Sequence, residues 1–67
     1  MNLQEKLARE ISRVTKIMVH AGELPPESGG FLVTMCLVAL DRACVAAGSS
    51  NIPLIMLAIK QLEEFNE

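Results

Sequence analysis

Three stretches of the chain carry a helical rhythm of apolar positions, and they differ in how far around the helix it extends. Between Leu3 and Ala21, residues Leu3, Leu7, Ile11, Val14, Met18 and Ala21 recur at spacings of three and four. With about 100° of turn per residue they occupy a sector of about 80°, the pattern of one buried face on an otherwise polar helix. Asn2, followed three residues later by Glu5, reads as a capping-box variant that starts this helix. Gly22 reads as a left-handed cap that ends it, with "ELPPES" as the turn and Leu24 placed to pack back as a staple.

The second stretch predicts a helix over about 26–47. Pro26 fits its first turn, where amide hydrogens lack helical partners, Glu27 suits the positive end of the helix dipole, and Gly48 closes it. Of the seventeen residues Phe31 to Ala47, only Thr34, Asp41 and Arg42 are not apolar. Glu27, Thr34 and Asp41 stand seven apart and form one thin polar line, with Arg42 beside it. The third helix, over about 52–65, takes its caps from Ser49, Ser50 and Asn51 and has Pro53 in its first turn. Ile52, Ile55, Ile59 and Leu62 make one stripe, with Leu54, Leu57 and Ala58 beside it, and the helix becomes amphipathic only after Lys60. With no strand-like alternation and no internal repeat, the expected fold is all-α, three helices in one small domain spanning 1–67.

A helix apolar nearly all round is out of place in a lone three-helix bundle, where each helix shows one side to water. The chain has 67 residues, and a domain of that size buries only ~60% of the surface its unfolded chain exposes. A disulfide does not supply the missing stability: Cys36 and Cys44 on one helix lie roughly 12 Å apart, too far to bridge. The polar, mixed-charge stretch Met1 to Glu10 does not resemble a secretory signal, so the expected setting is the cytoplasm, with reduced thiols. Burial is then expected to come from self-association or a partner. The expected oligomer interface is Leu32, Met35, Cys36, Ala39 and Ala43 on the second helix. Small residues including Gly29, Gly30, Ala39, Ala43, Ala46 and Ala47 would let another backbone come close. Two-fold homodimers are the commonest assembly, so a homodimer through helix 2 is expected. A membrane span is not expected, because Asp41 and Arg42 interrupt the apolar run and a span needs ~20 uninterrupted apolar residues.

Charge adds a second candidate surface. The net charge is −2, yet Asn2 to Ala21 carries four Lys or Arg against two Glu, and the remainder carries two against six acids. On helix 1, Lys6, Arg9, Arg13, Lys16 and His20 fall in a second sector of about 80°, a candidate partner-binding face for an acidic protein surface, a nucleic acid or a phosphate-bearing small ligand. The chain has no Trp or Tyr to stack on bases, which weakens the nucleic-acid reading. A helix-turn-helix is also disfavoured, because the would-be reading helix begins "NIPLIM" and offers aliphatic side chains where base-reading donors and acceptors are needed.

His20 has no cysteine or carboxylate three or four residues away on its helix, so no metal is expected, and the two cysteines read as small core residues. No nucleophile-base set and no glycine-rich phosphate loop can be assembled, so neither a cofactor nor an enzymatic activity is expected. Arg42 is placed to pair with Glu63 or Glu64, and Asp41 with an arginine of helix 1, unless both sit at the solvent edge. The expected function is that of a non-enzymatic helical interaction protein, a homodimeric regulator, inhibitor or adaptor acting on another protein. Alternatives are a nucleic-acid or anionic-ligand binder using the basic face, and a small accessory subunit of an enzyme.

Overall fold

The computed structural model describes residues 2–66 as three helices, α1 (Leu3–Gly22), α2 (Pro26–Ala47) and α3 (Ile52–Glu63). No strand occurs among the described residues. The helices pack into a body of 38 × 19 × 16 Å, with α1 and α2 sharing the most extensive contact and α3 lying against both.

The helix ends show why these segments fold as they do. Asn2 Oδ1 accepts from the Glu5 amide at 2.8 Å and so caps the start of α1, while the Asn2 side-chain amide, not its backbone N–H, lies 3.5 Å from Glu5 Oε1. Asn51 repeats the device on α3, accepting from the Leu54 amide at 3.1 Å. Ser49 helps the turn between α2 and α3 by donating to the Ala46 carbonyl at 2.8 Å. Pro26 starts α2 behind Pro25, with no side-chain cap.

Two expectations about glycine are corrected. No residue among those described has a positive φ, so neither Gly22 nor Gly48 is a left-handed cap. Gly22 is the last residue of α1, and Glu23 ends the helix in right-handed geometry, its amide donating to the His20 carbonyl at 3.1 Å. Gly48 does close α2, but at φ −82°. The predicted staple also finds no side chain to close on, because Leu24 meets Gly29 and remains 52% exposed.

The core is built from Leu7, Val14 and Ile17 of α1, Cys36, Ala43 and Ala46 of α2, and Ile55, Ala58, Ile59 and Leu62 of α3. Leu3, Ile11 and Met18 pack against it, so the predicted α1 stripe faces inward as expected. Fully burying side chains such as Leu7, Val14 and Leu62 contributes roughly 1.5–3 kcal/mol each.

What α2 puts into this core is unusual for so apolar a helix. Its buried residues are Gly29, Cys36, Ala43 and Ala46, all small. Gly29 lies so close to α1 that a Cβ there would collide with the Ala21 carbonyl oxygen. Small residues at positions 29, 36 and 43 let α1 and α3 come close to the α2 backbone, which maximises dispersion contact. Leu32 and Leu40 of α2 still pack against the edge of this core, while Phe31, Leu37, Val38 and Val45 are turned outward.

Candidate interaction surface

The outward face of α2 carries Phe31 (78% exposed), Leu37, Val38 and Val45 (63%), with Met35 at its edge. Phe31, Val38 and Val45 are seven apart, so they form a ridge along the helix. Thr34 and Asp41 lie three or four residues from members of this ridge and share its face. On α3 the same side of the molecule adds Leu54 and Leu57, the latter about half exposed. A groove runs between the two helices. One end is lined by Val45, Leu54 and Leu57, the other by Met35, Val38 and Glu64, and Arg42 and Gln61 belong to both.

The predicted interface residues divide accordingly. Met35 is exposed, and Leu32 and Ala39 are half-buried. Cys36 and Ala43 are wholly buried in the core of this chain and present nothing to a second molecule. Of the small residues expected to admit a foreign backbone, Gly29, Ala43 and Ala46 are buried against this chain's own helices. The ridge residues Phe31, Val38 and Val45 were not singled out by pattern. A signal for them existed in the polar line itself: Thr34 and Asp41 mark the side of α2 that faces away from the core, and the ridge residues are their i+3 and i+4 neighbours.

Length and apolar composition alone make α2 long enough and apolar enough to cross a membrane, and only 22% of its most apolar stretch is buried in the fold. Its charged pair lies on the outward side, both residues exposed. This is the solvent-edge alternative for Asp41 and Arg42, and Glu63 Oε2 lies 3.6 Å from Lys6 Nζ.

The basic row of α1 is also divided. Lys6 is taken up by that pairing with Glu63, an exposed contact worth less than about 1 kcal/mol. Arg13 is half-buried and turned onto α3, where Nη2 donates to the Leu62 carbonyl at 2.8 Å and Nη1 to the Phe65 carbonyl at 2.6 Å. Glu10 holds the same guanidinium through two contacts of 3.0 and 3.2 Å. Arg13 thus ties the C-terminal end of α3 to α1, adding its guanidinium to the Phe65 amide that already donates to the Leu62 carbonyl at 3.1 Å, and this gives it a role within the fold beside the partner-binding one expected of it. Arg9, Lys16 and His20 remain exposed.

Of the two free cysteines, Cys36 is buried and Cys44 exposed. Burial pushes the Cys36 thiol above its ordinary value of 9.0, because the thiolate loses its hydration. Among the described residues, no three His, Cys, Asp or Glu side chains gather as a metal site would require. The chain matches no protein-family model, no curated protein and no solved structure with which it was compared.

Proposed function

We propose that this chain is a non-enzymatic interaction protein, a homodimeric regulator, inhibitor or adaptor, whose outward face of α2 and adjoining groove of α3 dock against another protein chain. The observation that carries this reading is the inversion within α2: small residues face the core while Phe31, Leu37, Val38 and Val45 face out. Contiguous apolar surface of this kind costs solubility and marks binding sites in folded proteins. A hydrophobic centre rimmed by polar groups, here Thr34, Asp41, Arg42 and Glu64, is the composition of protein interfaces. The engagement of Lys6 and Arg13 within the fold lends less weight to the basic face of α1 as the working surface.

The test is site-specific photocrosslinking in the source cell. With a benzoylphenylalanine in place of Val38, the expected products are protein adducts, absent when the same probe replaces Gln4 on the exposed side of α1. Adducts to lipid alone, or none above the Gln4 control, would overturn the reading.

A further inference from the structure

We infer that the occupant of this face is a second copy of the chain, packed antiparallel about a two-fold axis at Val38. The inference rests on the docking reading above and adds the identity and register of the partner.

The ridge spans Phe31 to Val45, and Val38 is its midpoint. An antiparallel two-fold through that point sets Val38 on Val38 of the second copy and Phe31 on Val45 of the second copy. A large residue thus meets a smaller one at each end, as interdigitating layers require. The same operation carries Arg42 to the level of position 34 in the second copy. Thr34, Met35 and Glu64 line one end of the α2–α3 groove together, so Arg42 arrives beside Glu64 of the second copy, and symmetry makes the pair twice. Within one chain neither has an ion-pair partner among the described residues, since Glu63 goes to Lys6 and Glu10 to Arg13. The face is therefore complementary to itself in charge as well as shape, the condition an isologous interface must meet.

A standard interface buries about 800 Å² per partner, roughly a sixth of the 4577 Å² this chain exposes, which the ridge, Met35 and the flank of α3 are required to supply. An anionic lipid surface fits less well, because Glu27, Asp41 and Glu64 outnumber Arg42 on this side, and anionic headgroups attract cationic faces.

Sedimentation equilibrium on the full chain over a concentration series, with helicity checked by circular dichroism, tests the arrangement. The wild type is expected to dimerise. Arg42→Glu is expected to weaken the dimer about tenfold or more by setting like charges together twice, and Arg42→Glu with Glu64→Arg to recover most of the loss. In a Cys44→Ser background, Val38→Cys is expected to give a disulfide-linked dimer under mild oxidation, and Thr34→Cys not to. A monomeric wild type overturns the inference, as does a dimer in which the double reversal fails to rescue and Val38→Cys fails to cross-link. If the Val38 photoprobe captures a different protein, the docking reading stands and the second copy is ruled out. Lipid-only adducts remove both.

Discussion

Arg13 Nη1 donates to the carbonyl oxygen of Phe65 at 2.6 Å, a contact between residues 52 positions apart in the chain. One guanidinium thereby joins the middle of α1 to the end of α3, with Glu10 fixing its plane from below. The contact ties the chain just beyond α3, which ends at Glu63, to α1, and Phe65 packs against the core.

Arg13→Ala leaves the Leu62 and Phe65 carbonyls without this donor and Glu10 without its partner. The expected loss is about 1–2 kcal/mol, since a hydrogen bond to a charged group is worth more than a neutral one. In a domain this small, that lowers Tm by roughly 5–15 °C. Arg13→Lys recovers only part, because an ammonium lacks the planar fork that spans two carbonyls. Thermal unfolding followed by circular dichroism at 222 nm checks both variants.

The two adjacent glycines are expected to respond in opposite ways to alanine. Gly29→Ala places a methyl against the Ala21 carbonyl oxygen, which belongs to backbone and has no rotamer with which to yield. Separation of α1 from α2 or loss of folding follows, at a cost of several kcal/mol. Gly30 has open space where its Cβ would go, so Gly30→Ala gains about 0.5–1 kcal/mol from helix propensity. Urea midpoints of the two variants should fall on either side of the wild type.

Truncating Leu62, which is fully buried where α3 meets the other two helices, removes a large share of a small core. Leu-to-Ala changes at such sites cost about 2–5 kcal/mol. A total stability of ~0.05–0.15 kcal/mol per residue leaves little beyond that in a chain of this length. Leu62→Ala is therefore expected to be largely unfolded at 37 °C, seen as loss of amide dispersion in a proton–nitrogen spectrum. Leu57→Ala, at an exposed position, is expected to keep the fold.

Cys36 makes stability fall with alkaline pH. Its thiol ionises at about 9.0 in the unfolded chain and higher in the folded one. Above pH 9 the unfolded state therefore holds fewer protons, and the sign of linkage is a loss of stability as pH rises. The contribution is complete below pH 9 and disappears as pH passes through the raised folded value. Urea midpoints measured between pH 7 and 10 should decline more steeply for the wild type than for Cys36→Ala. In a Cys44→Ser chain, thiol labelling of Cys36 should proceed only at the rate of opening.

Much of this molecule was legible from one dimension. Helix number, type and most boundaries follow from contacts within a few residues, such as Asn2 with Glu5 and Asn51 with Leu54, and from the single apolar stripe of α1. Local signals failed where a helix gave more than one answer. Because α2 is apolar on nearly every side, its periodicity does not say which side faces in. That choice was made by volume: the helices pack most closely when Gly29, Cys36 and Ala43 face inward, with Leu32 and Leu40 at the edge of the core and Phe31, Val38 and Val45 left outside. The same holds for the cations of α1. Spacing alone put Lys6, Arg9, Arg13, Lys16 and His20 on one face, but only the docking of α3 turned Arg13 into a tie to the end of α3 and Lys6 into a partner of Glu63. A sequence determines what each helix offers to its surroundings; the tertiary packing decided which offers were taken up inside the fold, because carbonyls, volumes and charges 49 or more residues away become neighbours only there.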